Sequence, residues 1–195
     1  MSALPKRKLT ATEYLDIERR AEFKSEFFDG EMFAMAGASR HHNIVNENLS
    51  TELGARLKGG RCRTLSRDQR VRIERTGLYC YPDLVIVCGT PEYAVEDPDT
   101  LINPRAIIEV LSGSTERYDR TTKYRHYQKL PSVTEYILVS QDEPLCERFT
   151  RLADGTWTVA SFVGLDSILV LTSVPVEIPL ADIFNGVTFP EPPPR

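Results

Sequence analysis

Two acidic residues stand beside or within apolar runs, at positions where charged side chains are costly. Asp83 opens the run 83–88 directly after Pro82, and Glu109 interrupts the run 106–111. Apolar runs of this length, rich in branched side chains, are typical of strands that are buried on both faces. An ionised carboxylate in such a strand carries a large desolvation cost unless a cation compensates it.

A hard divalent cation is the natural compensation for this pair of carboxylates. Two carboxylates on neighbouring buried strands supply the oxygen ligands that Mg²⁺ prefers, and they leave room for water and a substrate phosphate. Asp83 and Glu109 therefore indicate metal-assisted phosphodiester chemistry. The alternative is that Asp83 only begins a strand after a proline, while Glu109 is neutral or paired with an internal arginine or lysine.

Length and composition bound the class of protein. The chain has 195 residues, of which 41% are hydrophobic, and this suits one domain with a substantial core. We expect that domain over residues 1–188, followed by a disordered proline-rich tail over 189–195. No apolar run reaches the length of a membrane span, and the first residues lack the apolar stretch of a secretory signal. These features predict a cytoplasmic protein with no membrane partner.

The four cysteines show neither a CxxC pair nor a histidine at zinc-finger spacing. They are Cys62, Cys80, Cys88 and Cys146. Cys80 and Cys88 bracket one predicted strand, so at about 3.3 Å per residue they would lie roughly 26 Å apart, beyond the reach of a disulfide. Free thiols are therefore the expectation.

Charge is distributed unevenly along the chain. The formal net charge of −4 argues against a generic basic coat for nucleic acid. Two basic clusters nevertheless flank the strands that carry the two acids, which would allow phosphates to be gripped near one site. The alternative is that each cluster is only a solvated face. The clusters comprise Arg61, Arg63, Arg67, Arg70, Arg72 and Arg75, and then Arg117, Arg120, Lys123, Arg125, His126 and Lys129.

Hydrophobic spacing predicts three helices. Apolar residues recur every four positions over 41–58, with Ser39 as a cap and a glycine pair at 59–60 as the end. A shorter helix is predicted over 10–21, and a third over 119–130, ending before Pro131.

Strands are expected between and after these helices. A hairpin over 27–35 turns at Asp29-Gly30, and the stretch 88–106, which contains three prolines, is interpreted as a loop. The sequence predicts an α/β (α+β) fold, in which a mixed sheet is flanked by helices and joined by an N-terminal hairpin and C-terminal antiparallel strands. The other predicted strands are 69–74, 82–88, 106–112, 135–140, 146–151 and 157–162.

At this level of detail the chain resembles a known family. The matching segments are Pro82-Asp83, Ile107 to Ser112, Asp119, Lys123, Tyr127 and Glu135-Tyr136, with Phe28 to Glu31 and His42 nearer the start. The order of these segments resembles the Uma-type restriction endonucleases, which are members of the PD-(D/E)XK nuclease superfamily. The bare PD…E pattern is weak, whereas the longer combination covers nearly the whole chain and is far more specific.

The resemblance implies a restriction-endonuclease-like core and Mg²⁺-dependent cleavage of DNA, with Mn²⁺ as a substitute cofactor. Asp83, Glu109 and the backbone carbonyl of Val110 would hold the metal and activate a water for in-line attack. Glu31 or His42 could complete the shell or contact the DNA backbone. The alternatives are that Glu31 is only a hairpin residue and His42 only part of the first helical turn.

One position departs from the superfamily pattern. The residue two after the glutamate is normally a lysine that orients or polarises the attacking water, and here it is Leu111. Lys123 is the candidate for a migrated lysine, because in a helix starting near Asp119 it shares the apolar stripe that should face the sheet. The alternative is a lysine at the margin of that stripe that extends to solvent. Lys129 lies off the stripe.

Other functions stay open on the sequence alone. Leu111 also suits a nuclease fold that has lost its chemistry and serves as a DNA-binding or oligomeric scaffold. A third hypothesis is a metal-dependent phosphohydrolase that acts on nucleotides. A duplex has two antiparallel strands, so a homodimer with two-fold symmetry is expected, with the edge near Trp157 and Phe162 as the contact surface.

Overall fold

The computed structural model describes residues 7–35 and 37–189, and two six-stranded sheets carry the fold. The first sheet has the order β2-β1-β5-β4-β8-β7, and it is mixed because β4 and β8 run parallel while the other neighbours run antiparallel. Its strands are β1 (Ser25–Phe28), β2 (Glu31–Ala34), β4 (Arg70–Ile73), β5 (Leu78–Cys80), β7 (Tyr93–Ala94) and β8 (Asp97–Leu101).

The second sheet holds the two apolar runs. Its order is β12-β11-β10-β9-β6-β3, with β9 and β10 parallel and β6 antiparallel to β9. A separate hairpin pairs β13 (Ile168–Leu171) with β14 (Val176–Pro179). The strands of the second sheet are β3 (Cys62–Ser66), β6 (Leu84–Cys88), β9 (Ala106–Leu111), β10 (Glu135–Ser140), β11 (Leu145–Arg151) and β12 (Trp157–Val163).

The helices are few. A helical segment over 116–127 consists of α3 (Glu116–Tyr118), one π-helical turn (Asp119–Lys123) and α4 (Tyr124–Tyr127). No helix in the described ranges combines the length and apolar character needed to cross a membrane. The remaining helices are α1 (Ala11–Glu18), α2 (Arg40–Leu57) and α5 (Leu180–Ile183).

Strand β9 is an interior strand of the second sheet, between β10 and β6, and is buried along its whole length. Ile108 and Val110 join a core formed with α2 and the C-terminal hairpin, whereas Ile107 and Leu111 join a second core formed with the first sheet and α4. Because side chains alternate along a strand, Glu109 points to the same face as Ile107 and Leu111. The carboxylate therefore faces the space between β9, the first sheet and the 116–127 segment.

Much of the predicted architecture is confirmed. The fold is α+β, Ser39 caps α2, and β10 spans the predicted 135–140. Asp29 and Gly30 form the turn of the β1–β2 hairpin, with φ angles of 47° and 80°. Two consecutive positive φ angles match the right-handed twist of a hairpin, which explains why an Asp-Gly pair marks the turn so clearly.

The predicted mixed-sheet fold is present with two sheets, but the prediction of a loop over 88–106 is wrong. This stretch contributes β7 and β8 to the first sheet. The residues of β8 do not alternate between apolar and polar, and polar contacts hold the strand in place. Asp97 is fully buried, forms an ion pair with Arg70 of β4, and accepts a hydrogen bond from the hydroxyl of Thr100. The contact between Arg70 and Asp97 joins segments that are distant in sequence, so local apolar spacing does not reveal it.

The expectation of free thiols is wrong for one pair of cysteines. Cys62 of β3 lies directly opposite Cys88 of β6, with 4.0 Å between their Cα atoms, and the two form a disulfide. The sequence predicts no strand at β3, so residue spacing does not reveal that Cys62 lies opposite Cys88. Cys80 and Cys146 are free and buried.

Phe189, the first residue of the predicted tail, is the last of the described residues. Its ring packs against Phe184, with 5.4 Å between the centroids. The rest of the predicted tail, 190–195, lies outside the described residues. The assignment of 1–188 to one domain stays a prediction.

Candidate active site

Glu109 receives two hydrogen bonds from the 116–127 segment. Lys123 Nζ donates to Glu109 Oε1 at 3.1 Å, and the hydroxyl of Tyr127 donates to the same oxygen at 2.8 Å. Burial raises the pKa of Tyr127 well above its ordinary value, so the hydroxyl keeps its proton and remains a donor. One carboxylate oxygen is thus fixed by two donors from a single helical face.

Asp83 reaches the same place because β6 and β9 are antiparallel neighbours. Leu84 lies opposite Ile108, so the preceding Asp83 falls beside Glu109 and Val110. The backbone N–H of Asp83 donates to Glu109 Oε2 at 3.3 Å, and Asp83 Oδ2 accepts the N–H of Val110 at 2.8 Å. The two acids identified from the apolar runs are direct neighbours.

The N-terminal end of α2 closes one side of the cluster. Ser39 Oγ accepts the N–H of His42 at 3.1 Å, which fixes the first turn of the helix. His42 Nε2 then lies 3.2 Å from Asp83 Oδ2. The hydroxyl of Ser39 also donates to Gln141 at 2.6 Å, and this bond ties the start of α2 to the end of β10.

Glu26 and Asp119 complete the surroundings of Lys123. Lys123 Nζ lies 3.0 Å from Glu26 Oε1 and 3.4 Å from Asp119 Oδ1, in addition to its bond with Glu109. Asp119 and Lys123 begin and end the π-helical turn, a rare helical form that often marks functional sites. Lys123 is only 6% exposed, so it does not extend to solvent.

Charge in this cluster is unbalanced. Three carboxylates, those of Glu26, Glu109 and Asp119, surround the ammonium of Lys123, and Asp83 adds a fourth beside Glu109. Burial raises the pKa of Glu109 above its ordinary value, the charges of Asp119, Asp83 and Glu26 reinforce the shift, and Lys123 opposes it. Burial also raises the pKa of Asp119. The surroundings therefore favour an additional positive charge.

The pKa of Lys123 is also raised, but by its acidic neighbours and not by burial. Burial alone would lower its pKa, but Glu109, Glu26 and Asp119 outweigh that effect and raise the pKa well above its ordinary value. The side chain is therefore a permanent cation at neutral pH. An uncharged lysine acting as a base is excluded by these neighbours.

The structure brings most of the predicted site residues together. Asp83, Glu109, Lys123 and His42 form one contiguous cluster, and Val110 joins through its backbone. Glu31 is exposed on β2, and within the described ranges it makes no hydrogen bond or ion pair with this cluster. The roles assigned to these residues stay predictions.

Glu26 is the member of the cluster that the sequence interpretation missed. The N-terminal hairpin was predicted to begin at residue 27, whereas β1 begins at Ser25. The signal was the spacing of Glu26 and Phe28, which places both side chains on one face of the strand. A strand predicted two residues earlier would have put a buried acid beside an aromatic residue of the core.

The donor set fits a magnesium ion that keeps part of its hydration shell. In the part of the chain that the structure describes, no group of three or more His, Cys, Asp or Glu side chains forms a complete metal-binding site. Mg²⁺ ordinarily binds through one or two carboxylates and retains several waters, so Asp83 and Glu109 are sufficient in number. The N–H of Val110 donates to Asp83. Because the N–H and C=O of one strand residue point to the same side of the strand, the carbonyl of Val110 is also directed towards Asp83.

Comparison with known proteins agrees with this fold. The family model described as "Putative restriction endonuclease", Uma2, matches residues 11–181. A solved structure titled a putative nuclease belonging to DUF820, from Anabaena variabilis, superposes with a TM-score of 0.73 over 90% of this chain and 97% of that one. The sequence identity to it is 17%, so this likeness concerns the fold, which is that of a nuclease-like α+β protein.

Two relatives come from Synechocystis sp. The uncharacterized protein slr1290 is 33% identical over 182 residues, which is 93% of this chain and 94% of the relative. The uncharacterized protein sll1609 is 33% identical over 156 residues, which is 80% of this chain and 88% of the relative. The chain belongs to the Uma2 family of putative restriction endonucleases.

Proposed function

We propose that this protein is a metal-dependent endodeoxyribonuclease that hydrolyses DNA phosphodiester bonds. The observation that carries the proposal is the cluster in which Glu26, Glu109 and Asp119 surround the ammonium of Lys123 while Asp83 lies beside Glu109, so that four carboxylates share one lysine. Such an excess of buried negative charge favours a bound cation. Membership of a restriction endonuclease family and a nuclease-like fold support DNA as the substrate.

Asp83, Glu109 and the carbonyl of Val110 would hold Mg²⁺, with Mn²⁺ as a substitute. When bound, the metal supplies Lewis acidity towards the scissile phosphate and lowers the pKa of a coordinated water. Tyr127 fixes one oxygen of Glu109, and His42 lies against Asp83, so both metal-binding carboxylates are oriented before substrate arrives.

Lys123 would stabilise negative charge that develops on the attacking water and the phosphate. Its ammonium already lies at 3.1 Å from Glu109, adjacent to the proposed metal position. A fixed cation in a buried site acts strongly on such charge, because little solvent screens it. Lys123 would thereby replace the lysine that the superfamily pattern places at Leu111.

A homodimer would bring two such sites to the two strands of a duplex. The contact that we propose is the free edge of β12, the outermost strand of the second sheet. Its seven residues contain no charged side chain, and their pairing with β11 is regular throughout. Edge strands without charges, prolines or bulges readily pair with another chain.

A second candidate function is a DNA-binding or oligomeric scaffold without catalysis. The observation that favours it is Leu111, which is buried in the second core at the position of the missing lysine. A protein that binds Mg²⁺ and DNA but cleaves neither DNA nor small nucleotides would support the scaffold. Cleavage of nucleotides alone would instead indicate a phosphohydrolase.

Calorimetric titration with Mn²⁺ tests the metal site. We expect the parent protein to bind, and Asp83→Asn and Glu109→Gln to lose binding, because each variant removes one of the two carboxylate ligands. Both variants should stay folded, or melt at a higher temperature, since each removes like-charge repulsion from a buried cluster. Glu31→Gln is the matched control and should bind as the parent does. Unchanged binding in the first two variants would show that the site is wrong.

A further inference from the structure

Strand β2 runs beside the site and carries apolar side chains that are exposed. Glu26 of β1 lies directly opposite Phe33 of β2 in the antiparallel pair. The pairing continues one step further, because the N–H of Met35 donates to the carbonyl of Lys24 at 3.0 Å. Directly opposite residues in such a pair point to the same face, with Cβ atoms about 4.5 to 5.5 Å apart.

The contacts of β1 show which face this is. Glu26 reaches Lys123, and Phe28 packs edge-to-face against His126 in the 116–127 segment, with 4.7 Å between the ring centroids. Phe27 points the other way and stacks on Tyr14 of α1. Phe33 therefore lies on the face of the sheet that carries the active-site cluster.

Phe33 remains open to solvent in this position. It is 48% exposed, and Met35 is 38% exposed. Strand β2 is the edge of the first sheet, so no further strand covers this side. A large aromatic ring left open one strand away from a proposed phosphodiester site is suited to contact the substrate.

The rim next to these residues carries Lys24 and Arg67 together with the acids Glu31 and Asp68. Lys24 Nζ donates to the carbonyl of Arg67 at 3.1 Å and forms an ion pair with Asp68. The exposed Arg67 is thus held close to the pair formed by Lys24 and Met35. An aromatic ring with a neighbouring cation is the combination by which proteins hold a single strand, with the base stacked on the ring and the phosphate near the charge.

We propose that Phe33, flanked by Met35, is a stacking platform for an unpaired nucleobase next to the scissile phosphate. The substrate class is then single-stranded or locally unpaired DNA, since the bases of an intact duplex stack on one another and do not present their faces. This inference rests on the proposed function. It adds a specificity-determining residue and a strand preference to it.

Equilibrium binding to two fluorescent probes tests the platform. The probes are a single-stranded oligodeoxythymidine and a blunt duplex of equal length, measured in Ca²⁺ so that cleavage does not interfere. Phe33→Ala should weaken single-strand binding by about tenfold, the scale for loss of one stacked base, and should leave duplex binding unchanged. Phe33→Tyr should bind as the parent does, because the ring is kept.

Tyr93→Ala is the matched control, because Tyr93 is a comparably exposed aromatic residue, at 41%, on the opposite edge strand of the same sheet. It should bind both probes as the parent does. Single-strand affinity unchanged in Phe33→Ala, or equally weakened in Tyr93→Ala, would overturn the platform. If the parent cleaves DNA in that case, the nuclease proposal survives. Phe33-dependent binding by a protein that never cleaves would support the platform and overturn the nuclease.

Discussion

Residue spacing alone predicts part of the environment of Lys123. Its place on the apolar stripe of a helix predicted that it would face the strand of Glu109, and the two side chains are 3.1 Å apart. The i,i+4 spacing of Asp119 and Lys123 also suits an ion pair, but spacing gives no indication that Glu26 shares the ammonium. The contact with Glu26 depends on where the β1–β2 hairpin packs, which is set by tertiary structure.

Replacement of Lys123 tests its role in the transition state. Lys123→Met keeps the apolar stem but removes a cation next to the proposed reaction centre. We expect the cleavage rate to fall by roughly 10²-fold or more, the scale for loss of one electrostatic stabiliser, while Mn²⁺ and DNA still bind. Single-turnover cleavage kinetics measure this directly.

Lys129→Met is the control for Lys123→Met, because Lys129 is exposed in the turn that follows the 116–127 segment and its replacement should have little effect. Leu111→Lys in the Lys123→Met background would place an ammonium on the same face as Glu109, and rescue there would strongly support the role. A Lys123→Met enzyme that cleaves at the parental rate would remove Lys123 from the mechanism.

At the level of elements, the sequence predicted those that carry strong apolar periodicity. The runs at 83–88 and 106–111 became β6 and β9, and the spacing over 41–58 became α2. Strands β7 and β8 were missed because polar contacts of Asp97 hold them, and β3 was missed because only two of its five residues are apolar. The helix predicted over 119–130 is the helical segment 116–127, whose π turn has no signature in the residue pattern.

The free edge of β12 gives a prediction about assembly. Val159 and Val163 are 57% and 68% exposed, on an edge strand without charges. If this edge joins two copies, Val159→Lys with Val163→Lys should convert the dimer into a monomer, because a two-fold pairing places the added lysines near one another across the interface. Light scattering at micromolar concentration measures the mass.

Val95→Lys is the control for the edge variants, since Val95 is fully exposed between β7 and β8. It should leave the mass unchanged. A parent protein that stays monomeric with and without DNA would refute the dimer, whereas a dimer that persists in the double lysine variant would place the contact elsewhere.

For the whole molecule, the excess of buried acid predicts how stability depends on pH. Burial raises the pKa of Glu109 from its ordinary 4.5 to about 8. The folded state therefore keeps a proton that the unfolded state has released, so this contribution to stability is complete below about 4.5 and is lost as the pH rises through about 8. Metal-free protein should melt at progressively lower temperature across this range.

Glu109→Gln should melt with a flatter dependence on pH, because its amide does not titrate. Scanning calorimetry of both proteins across this range isolates the contribution of Glu109, since the other titrating groups are common to both. Saturating Mg²⁺ should also flatten the parental curve, because a bound cation favours the ionised carboxylate. Parallel curves for parent and variant would contradict the account of the buried cluster.

Cleavage of DNA is the measurement that tests the central claim most directly. A mixture of supercoiled plasmid, linear duplex and single-stranded DNA is incubated with Mg²⁺ or Mn²⁺, and the parent is compared with Asp83→Ala and with parent protein in excess chelator. We predict cleavage by the parent alone, only with metal present, because Asp83 is a proposed ligand next to Glu109. Absence of cleavage by a folded, metal-loaded parent, or equal cleavage by Asp83→Ala, would contradict it.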